Sequence, residues 1–430
     1  MRTLREGDRG ATVDLLQLGL HRAGLLGDAP DGIFGAKTVG AVLALQQKHA
    51  LAADGVVGPQ TWAVLYPFLT GFLLHPIAAG ETLMAIAGRY DSNVAAILGA
   101  NPGVAAENLR PTAILKIPLP TTVVPTGIRW SFDLLALVID GLRVRYPFIA
   151  VEVLGSSVMG RPIYQLSIGS GKHRVGYNAA HHANEWITTP VLLQFLEQCA
   201  IGLVQGGEIG GVDYSRIFAN YRLDIVPLVN PDGVDLVTGA LAESTPQYQA
   251  AKRIAADFPS IPFPSGWKAN VEGVDLNLSY PALWEKARQI KFAQGYNKPS
   301  PRDYVGAAPL AAPEAAAMHK YTLQADYRLT LAYHSQGELI YWKFADFNPA
   351  GSYALAQRMQ GVSGYLPSVT PSESAYAGYK DWFIQQFNRP GYTIEVGQGS
   401  NPLPLTQFDQ IYRDNVGILL LGMIGLDADG

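Results

Sequence analysis

The chain is 430 residues long, which at about 100–200 residues per domain implies two to four domains, not one core. Apolar residues make up 48% and charged residues 16%, with 45 glycines and 29 prolines; this balance buries cores, spends many residues on turns and excludes wholesale disorder. With 32 basic against 36 acidic residues, a net charge of −4 and no Lys/Arg cluster, neither nucleic acid nor a membrane is expected as a partner.

The opening, Met1 to Asp8, lacks the apolar stretch of a secretory signal. An internal repeat follows. Asp31-Gly32-Ile33-Phe34-Gly35 recurs as Asp54-Gly55-Val56-Val57-Gly58, each holding an Asp-Gly turn, and Pro59 suits the first turn of a following helix. Helical spacing surrounds the turns at Val13, Leu16 and Leu20, then at Val39, Val42, Leu43 and Gln46. A small all-α three-helix domain is therefore expected over residues 1–70. Residues 72–119 read as a small α+β domain of strand, helix, helix and strand, with Thr82 as a helix cap and Ile114 to Pro118 as the closing strand. Residues 120–127 are rich in proline and threonine and carry no charge, the composition of an extended linker.

Residues 128–430 remain for a large domain. A helix is expected over Phe132 to Tyr146, then a hairpin from Ala150–Leu154 and Ile163–Ile168. Strand-like runs at Val175–Ala180, Tyr221–Val229, Leu329–Tyr333 and Tyr392–Val396 alternate with helical ones at Pro190–Leu203 and Ala308–Gln324. Such alternation predicts an α/β domain with a mixed or largely parallel sheet. The single cysteine, Cys199, forbids an internal disulfide and reads as a buried inert thiol. The apolar run Val416 to Leu426 is too short for a membrane span, which needs about 20 residues.

Ligands gather where the strands of such sheets end. One strand runs into His181-His182-Ala183-Asn184-Glu185 and another into His334-Ser335, so two strand ends deliver His and Glu, ligand types that suit zinc. Glu395 is the only charge in the strand pattern Gly391 to Gly397. A buried strand holds an unpaired carboxylate only at a cost, so the group must find a partner or shift its pKa upward, as a general base for water attack requires. The alternative is an edge strand with Glu395 in solvent.

Residues 2–66 resemble the peptidoglycan-binding-like three-helix family in Leu4, Gly7, Gly10, Leu15-Leu16-Gln17, the two Asp-Gly turns and Thr61-Trp62. Residues 73–118 resemble a LysM module in Gly80-Glu81-Thr82-Leu83, Asn101-Pro102 and Ile114 to Pro118, which implies a grip on N-acetylglucosamine-containing glycan. Residues 128–430 resemble the zinc carboxypeptidases (carboxypeptidase A/T-like). The matching pieces are His182 to Trp186, Asn230-Pro231-Asp232-Gly233, Gly273-Val274-Asp275-Leu276-Asn277, His334-Ser335 and Thr393-Ile394-Glu395. That resemblance implies a zinc ion (Zn2+) held by His182, Glu185 and His334, with Glu395 as general base. It implies Lys268 in place of an arginine that supports the reacting carbonyl oxygen, and substrate contacts from Asn277, Ser335, Arg302 and Tyr376. One departure stands out: where exopeptidases of the family carry a carboxylate-gripping arginine, this chain has Leu278.

Wall-type modules, the lost arginine and the stretches Asn277 to Glu285 and Pro301 to Leu310 together resemble the γ-D-glutamyl-L-diamino acid endopeptidases of peptidoglycan turnover and sporulation. The resemblance implies cleavage between γ-D-glutamate and meso-diaminopimelate (or lysine), with peptidoglycan stem peptide and glycan as partners. It implies a location in the bacterial cell wall or with the spore, the cytoplasm being the alternative that a missing leader suits. Two rivals remain. A metallocarboxypeptidase acting on ordinary peptides is opposed by Leu278. A non-catalytic wall-binding protein is opposed by the intact set of His182, Glu185, His334 and Glu395.

Overall fold

A computed structural model describes residues 1–427; residues 428–430, the end of the expected large domain, lie outside the described residues. The chain forms two compact units that divide between Ala150 and Val151.

The first unit opens with helices Ala11–Arg22, Ala36–Lys48 and Pro59–Thr70. The repeat has a physical basis in two buried glutamines. Gln17 accepts the N–H groups of Asp31 and Gly32 at 2.9 and 2.8 Å and donates to Asp31 Oδ1 and the Ile33 carbonyl. Gln46 repeats the device, accepting from Gly55 at 3.0 Å and donating to Asp54 Oδ1 and the Val56 carbonyl. Both turns need a left-handed residue, and glycine supplies it at Gly32 (φ 67°) and Gly55 (φ 71°). Beyond them, antiparallel strands Phe72–Pro76 and Ile114–Pro118 enclose helices Leu83–Arg89 and Val94–Ala100, capped by the side chains of Thr82 and Asn93. Ile77, Leu83, Ile86, Ile97, Leu115 and Ile117 form their core.

The expected linker is held in place and is not a free tether. Val123 and Val124 are buried, Arg22 donates to the Thr122 carbonyl at 2.9 Å, and Arg145 donates to the Thr121 carbonyl at 2.5 Å. Helix Phe132–Arg145 packs within this first unit: Tyr66 donates to Asp140, and a Cβ on Gly141 would stand 2.2 Å from the Thr70 carbonyl.

The second unit is built on an eight-stranded sheet in the order Leu366–Ser368, Leu339–Tyr341, Gly391–Glu395, Leu329–His334, His173–Ala179, Tyr221–Val226, Pro162–Ile168 and Ala150–Ser156. The four strands from Gly391–Glu395 to Tyr221–Val226 run parallel; Leu339–Tyr341 and Pro162–Ile168 pair antiparallel at their flanks. Helices cover both faces, so central strands are buried throughout, as in Leu329–His334. Leu331 faces Gly422 of helix Phe408–Ile424, whereas Ala332 joins Met318 and Phe383 on the opposite side. The helix expected from Ala308 starts later, at Pro313, because Leu310 takes a left-handed conformation (φ 60°) and proline favours the first helical position. No described helix is long and apolar enough to cross a membrane.

Candidate active site

Parallel pairing brings the carboxyl ends of three strands to one edge. Ala179 lies opposite Tyr333, and Glu395 lies opposite His334. After Ala179 the chain turns at Ala180 (φ 53°) and enters the short helical turn Ala183–Glu185, which folds Glu185 back onto His182. Asn230 caps helix Pro231–Thr238, its side chain accepting the Gly233 N–H. Its amide also donates to the carbonyls of His181 and Ala269, at 3.1 and 3.0 Å, tying the histidine segment to the Lys268 loop. Ala183 N–H completes that tie on the Lys268 carbonyl at 3.0 Å.

His182 Nδ1 lies 3.0 Å from Glu185 Oε1, His334 Nδ1 lies 2.9 Å from Glu185 Oε2, and the two Nδ1 atoms are 3.2 Å apart. Bonds of roughly 2.0–2.2 Å to three tetrahedral ligands would space those ligands about 3.3–3.6 Å apart, so the cluster needs to open by only a few tenths of an ångström to hold zinc. Its protonation pattern agrees. Asp275 Oδ1 accepts from His182 Nε2 at 3.1 Å, which turns the Nδ1 lone pair toward Glu185 and His334. A cation, whether a proton or a metal ion, is needed between these atoms to offset the repulsion of their lone pairs. The local field favours positive charge: burial opposes it, yet Glu185 and Asp275 push His182 up to about 9. Burial would raise the Glu185 carboxyl, but His182 and Lys268 hold it well below the usual carboxylate range. The residues therefore fit a bound zinc ion.

Glu395 completes the edge. Burial, reinforced by the Glu185 charge and partly offset by Lys268 and His182, pushes its carboxyl up to about 8. Lys268 places its ammonium 2.9 Å from Glu185 Oε1; burial works against that charge, but Glu185 and Glu395 keep the pKa above the usual lysine value. Ser335 donates its N–H to Glu185 Oε2 at 3.2 Å and its hydroxyl to Asn401 Oδ1 at 2.8 Å.

A cavity of about 220 Å³ runs from His182, Lys268 and Glu395 past Asn277 and Leu278 to Lys291, Arg302 and Lys380. A second, of about 510 Å³, adjoins it and includes Ser335, Asn401 and again Arg302. Asn277 Oδ1 accepts the Tyr379 N–H at 3.0 Å. Leu278 packs with Trp284, Ala287, Val305 and Ala377 in an apolar cluster and itself carries no charge. Tyr376 packs its ring edge on Phe344 with the Lys286 ammonium 4.4 Å away, rather than lining either cavity.

Sequence reasoning missed four contributors. Asp275, the partner of His182, lay inside the quoted segment Gly273 to Asn277 but its role depends on a contact 93 positions away. Lys380 and Asp381, an adjacent buried ion pair at 2.6 Å, were visible as opposite charges beside the aromatic residues Tyr379 and Trp382. Lys291, paired with Asp303 at 2.7 Å, gave no signal, since a lysine on an amphipathic helix reads as solvated.

A mixed sheet that brings two histidines, a ligand carboxylate and a half-buried basic carboxylate to one edge defines a metal-dependent hydrolase. Residues 136–417 match the zinc carboxypeptidase family, and the chain belongs to that family. Residues 9–65 match the peptidoglycan binding domain and residues 75–118 the LysM domain. Gamma-D-glutamyl-L-diamino acid endopeptidase 1 of Lysinibacillus sphaericus is 42% identical over 296 residues, covering 68% of this chain and 72% of that protein. The uncharacterized protein YqgT of Bacillus subtilis (strain 168) is 39% identical over 277 residues, 64% of this chain and 72% of that one. The fold is shared with the thrombin-activatable fibrinolysis inhibitor structure, at a TM-score of 0.55 and 14% identity, over 83% of this chain and 98% of that one.

Proposed function

We propose that this protein hydrolyses the bond between γ-D-glutamate and the diamino acid of peptidoglycan stem peptides, held at the bacterial wall by its two N-terminal modules. The observation that carries the reading is the convergence of His182, Glu185 and His334 beside a carboxyl raised to about 8, in a cavity where Leu278 offers no grip on a terminal carboxylate. The 42% identical endopeptidase and the two wall-type modules support the substrate class. Modules that bind the polymer raise the local concentration of its peptides at the site.

His182, Glu185 and His334 would hold the zinc, which supplies Lewis acidity and lowers the pKa of water toward about 7. Glu395 takes the proton of the attacking water and passes it to the departing amine, a role its raised basicity suits. Lys268 supports charge developing on the carbonyl oxygen. Asp275 keeps His182 in the tautomer that presents Nδ1. Asn277 and Ser335 shape the substrate walls, Arg302 binds an anionic group, and Tyr376 serves the substrate only if its loop moves toward the cavity.

The test is hydrolysis of L-Ala-γ-D-Glu-meso-diaminopimelate beside a blocked dipeptide with a free C-terminal carboxylate, with and without a zinc chelator. Chelator-sensitive cleavage of the stem peptide alone is expected. Cleavage of the dipeptide alone would favour the ordinary carboxypeptidase.

A further inference from the structure

Arg302 stands where two cavities meet at the reacting centre: it lines both, together with Lys268, Glu395 and Tyr341. Its guanidinium is aimed by a chain of contacts. Nε donates to Asp303 Oδ2 at 2.6 Å, and Lys291 pairs with the other oxygen of Asp303 at 2.7 Å. Asp303 adopts a left-handed conformation (φ 66°) and donates its N–H to Asp275 Oδ2 at 3.0 Å, so the carboxylate that orients His182 also anchors this loop. Pro301 accepts the N–H groups of Lys268 and Ala269 at 2.7 and 3.0 Å, which sets Arg302 beside Lys268.

Arg302 lies in the field of two carboxylates, Asp303 and Asp275. Lys268 is met by Glu185, but Arg302 and Lys291 share the single carboxylate of Asp303. Among the described residues, Nη1 and Nη2 of Arg302 have no hydrogen-bond partner, although the side chain is more than half buried. A guanidinium fixed through Nε with its outer edge open presents the bidentate fork that matches a carboxylate.

Which carboxylate it takes follows from position, on the γ-glutamyl reading above. In an ordinary peptide the main-chain groups on the N-terminal side of the scissile carbonyl are neutral amides. In a γ-linked glutamyl residue a free α-carboxylate lies three carbons away, about 5 Å by standard bond lengths. Arg302 lines the junction of the two cavities together with Glu395 and Lys268, and its charge acts on Lys268. We propose that Arg302 holds the α-carboxylate of the γ-linked glutamyl residue, so that the enzyme selects the isopeptide linkage through a charge that an ordinary peptide lacks.

Wild type, Arg302→Gln and Arg302→Lys, each checked for zinc content and thermal midpoint, are assayed on three substrates. These are L-Ala-γ-D-Glu-meso-diaminopimelate, the same peptide with the glutamyl α-carboxyl as carboxamide, and L-Ala-γ-D-Glu-L-Lys. Wild type is expected to favour carboxylate over carboxamide by about 10²-fold in kcat/KM, the scale on which unpairing a charged hydrogen bond is felt. Arg302→Gln collapses that ratio by slowing only the carboxylate substrates, Arg302→Lys restores part of it, and the diaminopimelate-to-lysine ratio stays constant. Equal slowing of carboxylate and carboxamide overturns the proposal, as does a wild type indifferent to the two. Loss of the diaminopimelate-to-lysine ratio in Arg302→Gln overturns it too, by moving the fork to the departing residue. If wild type cleaves none of the three yet trims the blocked dipeptide, the endopeptidase reading itself is wrong, an outcome distinct from all of these.

Discussion

Two buried polar networks of this protein are built from similar parts and end in opposite conditions. Around Gln17 and Gln46, each amide donor and acceptor meets a backbone or aspartate partner in its Asp-Gly turn. Around Glu185, two histidine nitrogens and a carboxylate converge with their lone pairs facing, while Glu395 nearby is pushed up to about 8. A satisfied network fixes a conformation and has nothing left to bind. An unsatisfied one attracts a cation and retains a base, so function sits where the internal accounting fails to close.

The sharpest way to break this contrast is to remove the base. Glu395→Gln should lower kcat by about 10³-fold or more while zinc content stays at the wild-type level, because a general base contributes on the order of 10²–10⁴ and no ligand is lost. Turnover near wild type would remove Glu395 from the chemistry. Lys268→Gln should lower kcat/KM by about 10²-fold through lost oxyanion support. The same variant carries a pH signature. Glu395 acts ionised, so activity falls as pH falls through its raised pKa; the Lys268 charge lowers that pKa, and its removal should move the acid limb to higher pH. An unmoved limb would mean another group governs it.

The satisfied network should fail in the other currency. Gln17→Ala or Gln46→Ala should destabilise the first unit by about 1–3 kcal/mol, the cost of unsatisfied buried groups, with hydrolysis of a soluble stem peptide unchanged. Reduced turnover on that substrate would contradict the separation. A pH-dependent effect should come from Glu314, a buried carboxyl in the second unit that burial pushes up to about 7 from 4.5. A raised carboxyl contributes stability that is full below about pH 4.5 and is lost as pH rises through 7. Glu314→Gln should flatten that slope, worth at most about 3 kcal/mol, in unfolding midpoints compared at pH 5 and pH 8.

Much of the site was legible because it rests on short-range patterns. The spacing of His182 to Glu185 and the strand ends before His334 and Glu395 are local, and parallel pairing then brings them together. The Asp-Gly repeat announced its turns in the same way, though not the glutamines that pin them from a preceding helix. What stayed hidden depends on partners distant in the chain. Asp275 reaches His182 across the fold, Lys291 is drawn inward by Asp303, and Tyr376 turns to Phe344. Proline and threonine between 120 and 127 suggested an extended linker, and Arg22 and Arg145 hold its carbonyls while Val123 and Val124 are buried. Composition describes the tether; only tertiary packing could reveal the anchors.

The most direct measurement is zinc content after equilibrium dialysis of wild type and Glu185→Gln against buffered zinc. One zinc per chain in wild type, and far less in the variant at a temperature where both remain folded, is the expected result. Equal zinc in both proteins, or far less than one per chain in wild type, would contradict the assignment of His182, Glu185 and His334 as the metal site.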